Sequence, residues 1–93
     1  MKVVKKGYNE RQFELDVWFE FGCIWVSMYE VIRPTWKLFR TRYIDKRIRF
    51  LEEFDSVEEA IEDAFASMIS KIKTEEETRK KIKEFEEKYL TNN

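Results

Sequence analysis

Alternating apolar and polar residues between positions 13 and 31 (FELDVWFEFGCIWVSMYEV) are the clearest structural signal in the chain. The alternation has a period of two, which is typical of strands that bury one face. It is interrupted at Gly22, and glycine readily adopts the positive φ that a tight turn requires. We therefore predict a β-hairpin with Phe21-Gly22 as its two-residue turn.

A two-residue turn fixes which residues of the hairpin face each other, because a slip of one residue would move every side chain to the other face. One face is then apolar on both strands and is the predicted core: Phe13, Leu15, Val17, Phe19, Ile24, Val26 and Met28. On the other face, Trp18 lies directly opposite Trp25. The remaining predicted members of that second face are Tyr29, Glu14, Asp16 and Ser27.

The segments that flank the hairpin predict further strands. Positions 1–6 contain Val3-Val4 and form either an edge strand or a loose arm. Pro34 ends the second hairpin strand, because proline lacks the amide donor that a central strand needs. Positions 36–44 (WKLFRTRYI) predict a third strand and positions 47–53 (RIRFLEE) a fourth, with Asp45-Lys46 as the turn between them.

Two helices are predicted after the sheet. Ser56 with Glu59, and later Thr74 with Glu77, form the pairs of a capping box that begins a helix. Apolar residues recur at helical spacing between the two boxes, and charged residues dominate after the second. The predicted fold class is α+β, in one domain over residues 1–93. An antiparallel meander of about four strands, with a fifth at the N-terminus as an alternative, occupies residues 1–54. Helices follow at 56–73 and 75–90, the first packed on the apolar sheet face.

The composition indicates a cellular location for the protein and an uneven distribution of charge along the chain. No run of eighteen apolar residues predicts a membrane span. The N-terminus lacks an apolar signal segment and the one cysteine, Cys23, has no internal disulfide partner, so a cytoplasmic location is expected. The net charge is -1, but residues 1–50 carry 11 Lys and Arg against 6 Asp and Glu, and residues 51–93 carry 7 against 13. Either the two halves neutralise each other or one charged face meets a partner.

The residue inventory argues against most enzymes. The chain has no histidine, a single cysteine and only two glycines. It therefore lacks the commonest general base, an activated thiol, a glycine-rich phosphate loop and a cysteine cluster for zinc. Pairs of acids near positions 55–63 could hold a hard cation, although solvated helix carboxylates are the simpler interpretation. We predict no catalysis, no cofactor and no metal site.

The second sheet face is the main functional hypothesis. We expect the arginines after position 39 to extend it, which gives it the residue types that dominate protein-binding hot spots. The partner is then another protein or a second copy of the chain, which makes a homo-oligomer. The predicted binding residues are Trp18, Trp25, Tyr29, Trp36, Arg40, Arg42 and Arg49.

Two alternatives compete with protein binding. In the first, the face binds nucleic acid, with aromatic rings stacked on bases and with phosphates held by Arg40, Arg42, Arg47 and Arg49. Acids near the tryptophans and a pI of about 5.6 oppose this. In the second, the N-terminal arm or the second helix covers the face and the tryptophans are core residues. Composition alone also suggests a viral or mobile-element protein that inhibits or regulates a host protein.

Overall fold

The computed structural model describes residues 2–32 and 40–89, which form an antiparallel sheet and one long helix. The strands are neighbours in chain order: β1 (Lys2–Tyr8), β2 (Arg11–Glu20), β3 (Cys23–Ile32) and β4 (Arg40–Phe50). A short 3-10 turn, Leu51–Glu53, leads to α1, Val57–Tyr89. The predicted α+β class with an antiparallel meander is confirmed.

The hairpin of β2 and β3 forms as its sequence pattern predicts. Phe21 and Gly22 have φ values of 52° and 69°, and two positive φ angles are the mark of a type I′ turn. Trp18 pairs with Trp25 across the strands, and Val17 pairs with Val26. A second turn with two positive φ angles, at Asn9-Glu10, joins β1 to β2. The register of the central strands therefore follows from their turn.

The core lies between α1 and one face of β2 and β3. Ala60 and Ala64 of the helix are fully buried, and their small side chains let the helix approach the sheet closely. Phe13 and Phe65 pack edge to face, with ring centroids 6.2 Å apart. The other buried apolar residues of this layer are Leu15, Val17, Ile24, Val26, Met28, Ile61, Met68, Ile69 and Ile72.

Phe19 does not belong to this core, although the alternation predicts it there. Its side chain is 55% exposed. β1 begins with Lys2 opposite Val17, so within the described residues no β1 neighbour flanks Phe19. The prediction was wrong because it considered β2 and β3 without the strand beside them.

The predicted third and fourth strands are one strand, β4, that continues through Asp45 and Lys46. Pairing with β3 shifts between Met28 and Tyr29, which leaves Ile44 as the extra residue of a β-bulge. Asp45-Lys46 has no glycine to favour a turn. The predicted strand positions that β4 does not include are 51–53, which form the 3-10 turn, and 36–39, which lie outside the described residues. The four-stranded sheet is completed instead by the N-terminal β1, and the described residues contain no fifth strand.

The two predicted helices are also one. Neither glycine nor proline interrupts positions 57–89. Thr74, the predicted second cap, lies inside the helix and its hydroxyl donates to the carbonyl of Ser70 at 3.1 Å. Every residue from Lys73 to Tyr89 is exposed. Two contacts of this half with the sheet, Lys73 over the Tyr8 ring and Glu76 with Arg11, lie on the core side. No helix among the described residues has the length and apolar content to cross a membrane.

Ion pairs connect the strands to each other and to the helix on the core side. Glu30 of β3 accepts from Arg11 of β2 at 2.7 and 2.9 Å and from Arg42 of β4 at 2.9 Å. Arg11 also reaches Glu76 of α1 at 2.9 Å. The hydrogen bond from Arg11 lowers the pKa of Glu30 against the opposing effect of burial. Burial alone would raise the pKa of Asp45, but hydrogen bonds from Lys46 and Arg47 outweigh it and the pKa is lowered.

Replacing the strained turn residue stabilises the protein. Phe21 is 89% exposed and holds a left-handed conformation that disfavours most side chains. Asn adopts this conformation readily, so we expect Phe21→Asn to raise the free energy of unfolding by about 1 kcal/mol in urea titrations. Phe21→Ala is the control, because it removes the ring and keeps the strained Cβ. Equal stabilities of the two variants would contradict this interpretation.

Glu30→Gln destabilises the fold by about 1–3 kcal/mol near neutral pH, because two arginines lose their carboxylate partner. The folded-state pKa of Glu30 lies below its unfolded value, so its contribution is present above the unfolded pKa and is lost as the pH falls through the folded pKa. Urea titrations between about pH 5 and pH 3 should therefore show a steeper loss for the wild type than for Glu30→Gln.

The control for this experiment is Glu14→Gln, which removes the same charge from a carboxylate that has no ion pair among the described residues. We expect it to change stability by less than about 0.5 kcal/mol. If both variants unfold with the same free energy near neutral pH, the ion pairs of Glu30 do not stabilise the fold.

Candidate functional site

The face of the sheet turned away from α1 carries most of the exposed aromatic residues of the strands. Strand register and alternation assign its members, since residues directly opposite on neighbouring strands share a face. We call this side the aromatic face and define it by Trp18, Trp25, Tyr29, Tyr43, Ile48 and Phe50.

Paired rings form the centre of the aromatic face. Trp18 and Trp25 stack, with centroids 5.8 Å apart and planes inclined by 14°. Tyr29 and Tyr43 meet edge to face at 5.7 Å. Both tryptophans are partly exposed, while Tyr43 is 55% and Phe50 53% exposed. The apolar surface thus crosses β2, β3 and β4, and extended exposed apolar patches of this kind often mark binding sites.

Two features distinguish Trp25 from an ordinary surface residue: a lysine ammonium near its ring and a buried N–H group. The ammonium of Lys46 lies 5.4 Å from the ring centroid, within the range of a cation–π interaction. Its indole N–H is buried and has no hydrogen-bond partner in the described part of the chain. A buried donor left unpaired costs about 1–3 kcal/mol, so the position of this ring is maintained against a penalty.

The aromatic face is flanked by acids along β2. Glu14, Asp16 and Glu20 alternate with the core residues of that strand and therefore share the side of Trp18. None of their carboxylates forms an ion pair or a side-chain hydrogen bond with another described residue. Lys5, across from Glu14 on β1, and Lys46 are the bases that the register places on this side. Acids thus outnumber bases on the described part of the face.

The arginines do not extend the aromatic face, contrary to the sequence-based prediction. The register of β4 places all four on the helix side of the sheet, opposite Ile32, Glu30, Val26 and Ile24. There, Arg42 contacts Glu30, Arg47 donates to Ser67 at 3.1 Å and Arg49 donates to Asp63 at 2.7 Å. Arg40 is exposed at the end of β4. Trp36 lies outside the described residues.

The prediction therefore brings together Trp18, Trp25 and Tyr29 correctly, and it misses the contribution of β4. Tyr43, Ile48 and Phe50 lie on the aromatic face, and Lys46 lies among them. The signal for Ile48 and Phe50 is their alternation with Arg47 and Arg49. We interpreted that alternation as a separate strand of an extra hairpin, and so assigned its faces wrongly.

The acids that the sequence suggested for a hard cation can be compared with the geometry of a metal site. Among the described residues, no three His, Cys, Asp or Glu side chains are grouped as a metal site would need. The acids considered for a cation have other roles: Asp63 and Glu62 pair with Arg49 and Lys6, and Glu59 caps α1. Cys23 is a free, buried thiol beside the turn.

Comparison of the chain with protein-family models, with curated proteins and with solved structures finds no match. The functional argument therefore depends on the geometry and chemistry of the aromatic face.

Proposed function

We propose that this chain is a non-enzymatic protein-binding module that acts through its aromatic face. The observation that carries the proposal is the stacked Trp18–Trp25 pair, which lies on a sheet face that α1 leaves uncovered. Tryptophan and tyrosine contribute most to binding hot spots, because large rigid rings bury much area at a small loss of conformational entropy.

The size of the face also supports protein binding. The four strands have 7, 10, 10 and 11 residues. At about 3.3 Å per residue and about 4.8 Å between strands, they cover roughly 600 Å² in projection. A specific protein interface buries about 800 Å² on each partner. The aromatic face and its rim therefore provide about the area that one such interface requires.

The nucleic-acid hypothesis lacks the geometry on which it depended. Arg42, Arg47 and Arg49 are held in ion pairs or hydrogen bonds on the helix side. The carboxylates of Glu14 and Asp16 on the aromatic side would repel phosphate. Protein binding requires neither free arginines on the aromatic face nor the absence of these carboxylates. It is therefore the function that we favour.

The partner is either a different protein or a second copy of the chain. The homo-oligomer remains a prediction that the molecular mass in solution tests. The interpretation as an inhibitor or regulator of a host protein rests on composition and remains a prediction as well.

Substituting the tryptophans should remove binding. Trp18→Thr and Trp25→Thr keep a strand-forming residue, and each should weaken a complex at least about tenfold, as expected for a hot spot. The measurements are quantitative capture of a protein partner on immobilised chain and sedimentation for self-association. Tyr43→Thr is a third variant, because Tyr43 is 55% exposed on the edge strand β4 and lies outside the buried core.

The matched control is Ile82→Thr with Phe85→Thr. It removes exposed apolar residues from the exposed C-terminal part of α1, Lys73 to Tyr89, which we call the projecting half. Circular dichroism confirms that each variant folds. The proposal fails if the helix variant abolishes binding while all three sheet variants retain it. It also fails if the chain binds single-stranded DNA with a steep salt dependence that Arg42→Glu and Arg49→Glu remove.

A further inference from the structure

We propose that the aromatic face takes a cationic occupant: an extended segment of another protein with Arg or Lys at alternate positions, lying along β2. This inference rests on the proposed protein-binding function and specifies the chemistry of the partner. It departs from the aromatic and basic surface that the sequence predicts, because the structure places acids, not arginines, among the rings.

Unequal pairing of the carboxylates on the two sides of the sheet is the first argument. On the helix side, Glu30, Asp45 and Asp63 each accept from an arginine. On the aromatic side, Glu14, Asp16 and Glu20 have no such partner among the described residues. Unpaired acids beside exposed apolar area favour a partner of opposite charge.

Lys46 supplies the second argument, because the face already holds a cation of its own. Its ammonium lies 5.4 Å from the centroid of the Trp25 ring. The neighbouring ring of Trp18 is also an indole and is partly exposed. No described cation lies above it. A guanidinium or ammonium from a partner would be attracted by this ring and by the neighbouring carboxylates together.

The spacing of the acids indicates an extended segment. Glu14, Asp16, Trp18 and Glu20 occupy alternate positions of one strand. Side chains on one side of a strand recur about every 7 Å, and an extended partner segment has the same repeat. Cationic side chains at alternate positions can therefore meet Glu14 and Asp16 while another lies on Trp18.

Charge complementarity also disfavours the competing occupants. Two copies joined through this face would bring their unpaired β2 carboxylates together in one interface, and like charges in contact oppose association. Nucleic acid would meet the same carboxylates with its phosphates. A basic protein segment matches both the rings and the acids.

The test uses three synthetic probes: the alternating peptides (Arg-Thr)5, (citrulline-Thr)5 and (Glu-Thr)5. Citrulline has nearly the shape of arginine without its charge. The full-length chain is titrated with each peptide, and the indole N–H signals of Trp18 and Trp25 are followed by NMR. We expect the arginine peptide to shift both signals saturably, and the other two peptides to bind at least about tenfold more weakly.

Variants then locate the interaction. Glu14→Gln and Asp16→Asn should each weaken the arginine peptide about threefold, while Glu84→Gln with Glu86→Gln, the same charge change on the projecting half of α1, should not. Lys46→Met should strengthen binding about threefold, because it removes a competing cation from the Trp25 ring. Lys83→Met is the control for that change.

Several results would overturn the inference. The inference is wrong if the citrulline and arginine peptides bind with equal affinity, or if Lys46→Met binds the arginine peptide more weakly than the wild type. It is also wrong if the chain forms a dimer that Trp25→Thr dissociates. If Trp18→Thr abolishes capture of a protein partner while Glu14→Gln and Asp16→Asn leave it intact, the proposed function stands and the cationic occupant is wrong. If none of these variants affects any interaction, both proposals fail.

Discussion

The structure depends on one constraint, the register that the Phe21-Gly22 turn imposes on β2 and β3. Two positive φ angles fix a two-residue turn, and the pleat then decides the side of each following residue. This single choice sends Leu15, Val17 and Val26 under the helix and leaves Trp18 beside Trp25 on the other side. A shift of one residue would turn a tryptophan toward the layer where Ala60 and Ala64 are fully buried against the sheet. The core and the aromatic face therefore have the same origin.

The charges are divided in the same way. Among the described residues, three ion pairs join bases of the sheet to acids of α1 on the core side: Lys6–Glu62, Arg11–Glu76 and Arg49–Asp63. The basic sheet half and the acidic helical half therefore neutralise each other in part. The sequence raised this possibility alongside a charged face that meets a partner, and partial neutralisation is what the described ion pairs show. On the aromatic side, the β2 carboxylates have no ion-pair partner among the described residues. For this reason the aromatic face has a mildly acidic character in a chain half that is basic overall.

How far the sequence predicts this fold depends on how local the determining interactions are. The β2–β3 register, the core around Leu15 and Val26, and the Ser56–Glu59 cap depend on residues close in the chain, and all are correct. Arg40 and Arg42 share the side of Arg47 and Arg49 only because of the bulge at Ile44, which forms when β4 pairs with β3. The exposure of Phe19 depends on where β1 begins. The helix α1 continues through Thr74 because no glycine or proline interrupts it. The prediction gave more weight to the capping pattern at Thr74 than to this absence.

The central claim is that the tryptophan pair lies on a partly exposed sheet face, beside carboxylates that have no ion-pair partner among the described residues. Fluorescence quenching of a Trp36→Phe variant, whose remaining tryptophans are Trp18 and Trp25, tests it most directly. Caesium and iodide quench by contact and carry opposite charges, and each quenching constant is divided by that of free N-acetyltryptophanamide. The account predicts a normalised constant that is larger for caesium than for iodide. A larger constant for iodide, or no quenching by either ion, would contradict it.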